Sequence, residues 1–158
     1  MARDRAVIHR QGKGARRMIG ENIKNALRTR LDGTASAPPI VWGGNARGVW
    51  DNAAQAYVTP EPPFWLAYFV TSPPERQGID PWHIYEGRLV VAVMVQDGTF
   101  DAEANTQAQR VIDHFPPDMI LTTGNGFVQV VAVGYADDGA MDGSYWRTNV
   151  HIRYRAQE

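Results

Sequence analysis

The chain contains no cysteine. Disulfides, thiolate metal sites and cysteine nucleophiles are therefore excluded together. No window approaches the roughly 18 apolar residues that a membrane-spanning helix needs, so no membrane partner is expected. The basic start is not followed by an apolar core, and no secretory signal is expected there. Catalytic signatures are missing as well. There is no HExxH pair and no GxSxG elbow, and Gln11-Gly12-Lys13-Gly14 has neither the spacing of a phosphate loop nor a strand before it. The four histidines, His9, His83, His114 and His151, stand far apart in sequence, so a zinc site would have to be assembled from distant positions. Asp137, Asp138 and Asp142 lie in a glycine-containing segment, but Ala140 and Asn149 stand where a calcium loop starting at Asp138 needs acidic ligands. No catalytic, cofactor-binding or metal-ligating residue is predicted.

What is present is an ordinary globular composition: 158 residues, 44% apolar and 21% charged. Such a length favours one domain with its own core. Charge is divided unevenly. Arg3, Arg5, Arg10, Lys13, Arg16 and Arg17 face only Asp4 within residues 1–17, a net +5, whereas the remaining 10 basic and 16 acidic residues give −6. This reads as a basic N-terminal arm over 1–17 and a mildly acidic domain over 18–158. Such an arm is either a solvated terminus or a contact for nucleic acid or an acidic neighbour.

Apolar periodicity outlines the domain. Ile19, Ile23, Ala26, Leu27 and Leu31 share one face of a helix over 16–31, and Ala104, Ala108, Val111, Ile112 and Phe115 share one face of a second over 101–115. Pro116-Pro117 ends the second helix, because proline disfavours helical geometry in the residue before it. Strands are predicted at 40–42, 64–70, 88–96, 119–122, 127–136 and 145–154, with 127–136 and 145–154 paired as an antiparallel hairpin around the loop 137–143. The segments 43–63 and 71–85, rich in glycine and proline, read as long loops. The order implies an α+β fold, with two helices on one face of a mainly antiparallel or mixed sheet of about four to six strands.

Both alternating sets of Leu89–Val95 are apolar, and a strand apolar on both sides expects cover on both sides. Two helices can cover about one face. The other is expected to be closed by aromatic loops of the chain or by another subunit. Trp42, Trp50, Trp65 and Trp82 read as exposed and favour an interface, since tryptophan and tyrosine dominate interface energetics. Trp50, Tyr57, Trp82 and Tyr85 in the two long loops are the candidate partner contacts. On the last strand Val150, Ile152 and Tyr154 form an inward set, leaving Asn149, His151, Arg153 and Arg155 outward. Arg153 and Arg155 complete the candidate interface.

The order of local motifs is distinctive. A helix ending in Leu27-Arg28-Thr29-Arg30-Leu31 leads to Pro38-Pro39-Ile40-Val41-Trp42, Glu86-Gly87-Arg88-Leu89 enters the valine strand, and a helix ends in Phe115-Pro116. Ser144-Tyr145-Trp146 then leads to Val150-His151-Ile152-Arg153-Tyr154-Arg155. Over residues 18–156 this resembles the tail-terminator family of long-tailed phages and gene-transfer-agent-like particles. The arm and the segment 43–58 depart from shorter members. The resemblance implies a virion structural protein without reaction or cofactor. It implies a homohexameric ring at the head-proximal end of the tail, assembled in the host cytoplasm. Such a ring ends polymerisation of the tail tube protein and docks the head–tail connector, while DNA passes through its lumen without sequence-specific binding. A head-completion or stopper protein of similar size is the neighbouring alternative. A small α+β enzyme or ligand-binding dimer is the alternative from another class, and predicts a closed pocket with convergent polar groups.

Overall fold

A computed structural model describes residues 20–43, 48–73, 75–76, 83–96, 98 and 100–158. The elements in chain order are α1 (Glu21–Asp32), β1 (Ile40–Trp42), β2 (Val49–Asp51), β3 (Ala56–Val58), β4 (Phe64–Thr71), β5 (Glu75–Arg76), β6 (His83–Gln96), α2 (Phe100–His114), β7 (Ile120–Thr122), β8 (Phe127–Val130), β9 (Tyr135–Ala136), β10 (Ala140–Asp142) and β11 (Tyr145–Gln157). The α+β class holds, but the main sheet has nine strands, more than the four to six expected. Its path runs β1-β4-β6-β11-β8-β7, with β5 added to β6, and β9 and β10 added to β11. The surplus comes from the short strands β5 and β10 in presumed loops, too short to leave a periodic signal, and from the division of the expected strand 127–136 into β8 and β9. Pairing is antiparallel throughout except for β1 with β4.

The two central strands are longer than their apolar cores. β6 starts at His83, well before the expected Arg88, and β11 continues to Gln157. They pair over thirteen residues, from Tyr145 opposite Gln96 to Gln157 opposite Ile84. Directly opposed residues share a face, so the register orders both sides of the sheet. On one side lie Trp65, Val93 and Thr148, then Ala67, Val91 and Val150, then Phe69, Leu89 and Ile152. Both helices pack there. Ile23, Leu27 and Leu31 of α1 join Ala104, Ala108 and Val111 of α2, with Phe115, in one buried cluster with these strand residues. The expected helix stripes are the packed ones from Ile23 onward; Ile19, and the expected start of the helix at 16, lie outside the described residues. Gly33 follows α1 with φ −79, an ordinary backbone angle.

The segment 127–136 is not one strand. It pairs as β8, leaves the ladder after Val130, and returns as β9. Gly134 sits in the break against the second helix and last strand, where an added Cβ would meet Ile152 Cδ1 at 2.5 Å and Ile112 Cγ1 at 3.4 Å. Any side chain here would displace core atoms, so the chain bends inward at Gly134, with Val131 and Val133 exposed beside it.

The opposite side of the sheet carries Phe64, Met94 and Arg147, then Leu66, Ala92 and Asn149, then Tyr68, Val90 and His151, then Val70, Arg88 and Arg153. No second copy is needed to dry its centre. Val90, Ala92 and Met94 are only 2%, 0% and 5% exposed within the single chain. Phe64 and Val41, with Leu66 and Tyr145 at their margin, pack with Ala92 and Met94 into a small second cluster. Phe64 and Tyr145 meet edge to face with centroids 5.6 Å apart. The chain itself thus covers Ala92 and Met94, with side chains of flanking strands rather than with the aromatic loops or the second subunit that were expected. Trp65, read as exposed from sequence, is fully buried under the helices. Trp42 is half-buried, stacked on Phe69 at 5.9 Å with the Arg28 guanidinium over its ring.

Leu27 is fully buried between helix and sheet, whereas Val70 is 40% exposed on the far side. Leu27→Ala is expected to lower the unfolding free energy by about 2–5 kcal/mol. Val70→Ala is expected to change it by about 0.5 kcal/mol or less. Urea titration of both variants measures the contrast, and equal losses would contradict the assignment of faces.

Candidate interaction surfaces

The segment 48–58 folds on itself. Strands β2 and β3 form a two-stranded sheet of their own, with Trp50 directly opposite Tyr57. Asp51 closes the turn: its Oδ1 accepts from the backbone N–H of Ala53 at 2.8 Å and of Ala54 at 3.3 Å. A short polar side chain after two strand residues thus supplies the turn locally. Trp50 Nε1 donates to Asn52 Oδ1 at 3.0 Å, and the Trp50 and Tyr57 rings meet edge to face at 5.2 Å. An isolated two-stranded hairpin is marginal in water, and an aromatic pair adds only about 0.5–1.5 kcal/mol. This one nevertheless exposes Val49, Trp50, Tyr57 and Val58 by 39–47% each. The sequence reading selected both aromatic residues but missed the hairpin and its two valines, because three-residue strands carry no usable alternation.

A second group of exposed apolar side chains follows the far part of the sheet: Ile120, Phe127, Val131, Val133, Tyr135 and Met141. All but Met141, which falls in the expected loop 137–143, lie in segments read as strands. The break after Val130 and the short strands β7, β9 and β10 turn them outward instead.

Arg153 and Arg155 are exposed on the helix-free side of β11. The register brings them to residues that sequence reasoning did not select. Arg153 is opposite Arg88, and Arg155 is opposite Glu86, whose Oε1 lies 3.5 Å from Arg155 Nε. Val70, Ser72 and Val131 complete a half-enclosed cleft of about 480 Å³ around these groups. Gly87 lies beside it, opposite Tyr154. A Cβ at Gly87 would meet the Tyr154 hydroxyl oxygen at 2.6 Å and the Val70 carbonyl at 2.8 Å, so the close packing of the tyrosine across the strand requires glycine. Burial pushes the Tyr154 hydroxyl up to about 12.

Tyr85, the other tyrosine selected from sequence, is half-buried and packs against the helix-side core. Burial, reinforced by the Glu158 carboxylate, raises its pKa above the ordinary tyrosine value. It therefore lies apart from the Trp50–Tyr57 hairpin and from the arginine cleft. Trp82 and the arm residues Arg3, Arg5, Arg10, Lys13, Arg16 and Arg17 lie outside the described residues.

Arg30, His114, Asp137 and Asp142 are engaged in holding the fold. An open groove of about 670 Å³ between α1 and β7 has Arg30 and His114 as its titratable lining residues. Both are engaged with backbone. Arg30 Nε and Nη2 donate to the His114 carbonyl at 3.1 and 2.9 Å, and His114 Nε2 donates to the Arg30 carbonyl at 2.7 Å. Each helix end thus satisfies a terminal carbonyl of the other, and a guanidinium at the end of α2 suits the helix dipole. The aspartates of the 137–142 segment do not converge. Asp142 pairs with Arg147 at 3.1 Å, while Asp137 accepts from the Asn149 backbone and side chain at 2.8 and 2.7 Å. Burial pushes the Asp137 carboxyl up, but hydrogen bonds from Asn149 and His151 outweigh it and hold it below the usual value. Among the described residues no three His, Asp or Glu side chains group as metal ligands.

Two exposed apolar surfaces and an arginine cleft are the candidate sites of interaction. A family profile described as phage tail terminator protein matches residues 22–154, from the first turn of α1 to near the end of β11. The chain belongs to the phage tail terminator family. Membership gives it a structural role in the phage tail, a place in the virion, and partners among tail and head components. No curated protein matches the chain. A solved structure known only by a serial label shares the fold, with a TM-score of 0.60 at 18% identity, over 89% of this chain and 97% of that one. The matched span of the terminator profile includes the hairpin and all of the arginine cleft but Arg155, and leaves the basic arm outside.

The helix-end lock predicts a pH response. Burial, followed by the Arg30 charge, outweighs the backbone hydrogen bond and lowers the His114 pKa below its ordinary 6.5. The unfolded chain then takes up the proton more readily, so the neutral ring's contribution is fully present above about pH 6.5 and declines as pH falls through the folded-state value. Thermal melts between about pH 7.5 and 5.5 should show a falling midpoint in wild type and a shallower fall in His114→Gln. Identical slopes would place the response in other groups.

Proposed function

We propose that this protein is a tail terminator that assembles as a homohexameric ring on the head-proximal end of the tail tube. The ring ends tube polymerisation and joins the tail to the head connector. DNA passes through its lumen without sequence-specific binding. No reaction, cofactor or membrane takes part, and assembly takes place in the host cytoplasm. The observation that carries this reading is the family match over residues 22–154.

Within that reading the exposed surfaces take roles. Residues 18–158 act as one domain, preceded by the basic arm over 1–17. The hairpin bearing Trp50 and Tyr57 docks on the tube or on the neighbouring subunit. Its burial on assembly supplies the cover that a two-stranded sheet lacks in water. Trp82, Tyr85, Arg153 and Arg155 make further, separate contacts, and the arm touches DNA or an acidic neighbour. A ring is a closed heterologous arrangement, so one surface of each subunit must meet a different surface of the next. Exposed apolar residues on both the hairpin and the β7–β10 side support that geometry.

Electron microscopy of particles made without the protein tests the function directly. Tail tubes of uncontrolled, excessive length are expected. Finished tails beside DNA-leaking heads would reassign the protein as a stopper. The hairpin assignment has its own check. Trp50→Ala combined with Tyr57→Ala should leave the thermal midpoint within a few degrees of wild type, because both rings are half-exposed. The same variant should fail to restore normal tube length, because truncating an interface aromatic commonly costs about 2 kcal/mol or more of binding. Full restoration would remove the hairpin from the interface.

A further inference from the structure

On the helix-free side of the sheet, two arginines stand directly opposite one another on adjacent antiparallel strands: Arg88 on β6 and Arg153 on β11. Like charges in that position destabilise a sheet. Neither side chain makes a hydrogen bond or an ion pair among the described residues. The neighbouring carboxylate, Glu86, faces Arg155 instead. Three guanidiniums therefore share a half-enclosed cleft with a single acid, and two of them have no counterion. The arrangement is costly to the lone chain and becomes favourable only when an anion enters.

We infer that this cleft receives a carboxylate side chain from a second copy of the chain. The inference rests on the ring reading and adds a chemistry and a residue, Arg88, to it. Arginine's planar fork binds a carboxylate through two parallel hydrogen bonds, and two opposed arginines can clamp one acid from both sides. The cleft's margins favour protein over nucleic acid. Val70 and Val131, each 40% exposed, bracket the arginine pair, and an apolar border excludes water around a charged contact between proteins. A DNA duplex presents about one charge per 1.7 Å along a rod and needs an extended basic stripe, not a recess of about 480 Å³. The chain also supplies the complement: beyond residue 17 it carries 16 acidic against 10 basic residues, so the body of a neighbouring copy is rich in carboxylates.

Sedimentation equilibrium of the full-length chain tests this, at about 50 and 500 mM NaCl, for wild type, Arg88→Gln and Arg153→Gln. Wild type is expected to associate, more weakly at the higher salt. Each variant should associate at least about tenfold more weakly, with a thermal midpoint equal to or above that of wild type, because the like-charge pair is gone. Two variants guard against loss of fold in one. A marked drop of the midpoint in both would overturn the premise that the pair is unsatisfied. Equal association of wild type and both variants overturns the carboxylate contact and leaves the ring reading standing. Wild type that stays monomeric at about 1 mM overturns the inference that a second copy fills the cleft, whereas the ring on the tube is judged by the tail lengths of particles made without the protein. Retention of wild type on duplex DNA with a steep salt dependence, lost in both variants, would assign the cleft to phosphate and overturn the inference.

Discussion

The thirteen-residue antiparallel ladder between β6 and β11 is the constraint on which the remaining structure depends. Side chains alternate strictly along a strand, so a shift of one residue would exchange the two faces of the sheet. With the register as it stands, Leu89, Val91, Val93 and Val95 meet Ile152, Val150, Thr148 and Trp146 under the helices. The same register sets Arg88 against Arg153 on the other side. Core and candidate interface are two consequences of one pairing.

The faces are finished by different means. Two amphipathic helices close one, and their ends are tied by the reciprocal Arg30 and His114 bonds to each other's carbonyls. The other is closed near β4 by the chain's own aromatic side chains and grades toward β11 into Arg147, Asn149, His151, Arg153 and Arg155. The apolar surface that remains exposed is displaced to the periphery, onto the β2–β3 hairpin and the short strands around β8. A subunit of a tail needs this distribution: a core that holds without partners, and sticky margins that do not.

Membership of the terminator family and the location of these margins are consistent with each other. The groove between the helices and β7 is open, and its ionisable residues bind backbone. The exposed aromatic residues and the arginine cleft are spread over several elements.

Much of this was legible in the residues. The helix stripes of Ile23, Leu27 and Leu31 and of Ala104, Ala108 and Val111, the valine strand, and the split of β11 into apolar and charged sets all follow from periods of 3.6 and 2 acting over many residues. The interface candidates Trp50, Tyr57, Arg153 and Arg155 could be picked by type and outward position. Tertiary structure alone decided what depends on distant partners. It made Trp65 core, set Arg88 opposite Arg153, broke the ladder after Val130, and packed Ala92 and Met94 against Val41 and Phe64. Periodicity records which side of its own strand a residue occupies. It carries no information about which residue of another strand lies opposite, and burial and charge pairing are settled by that opposition.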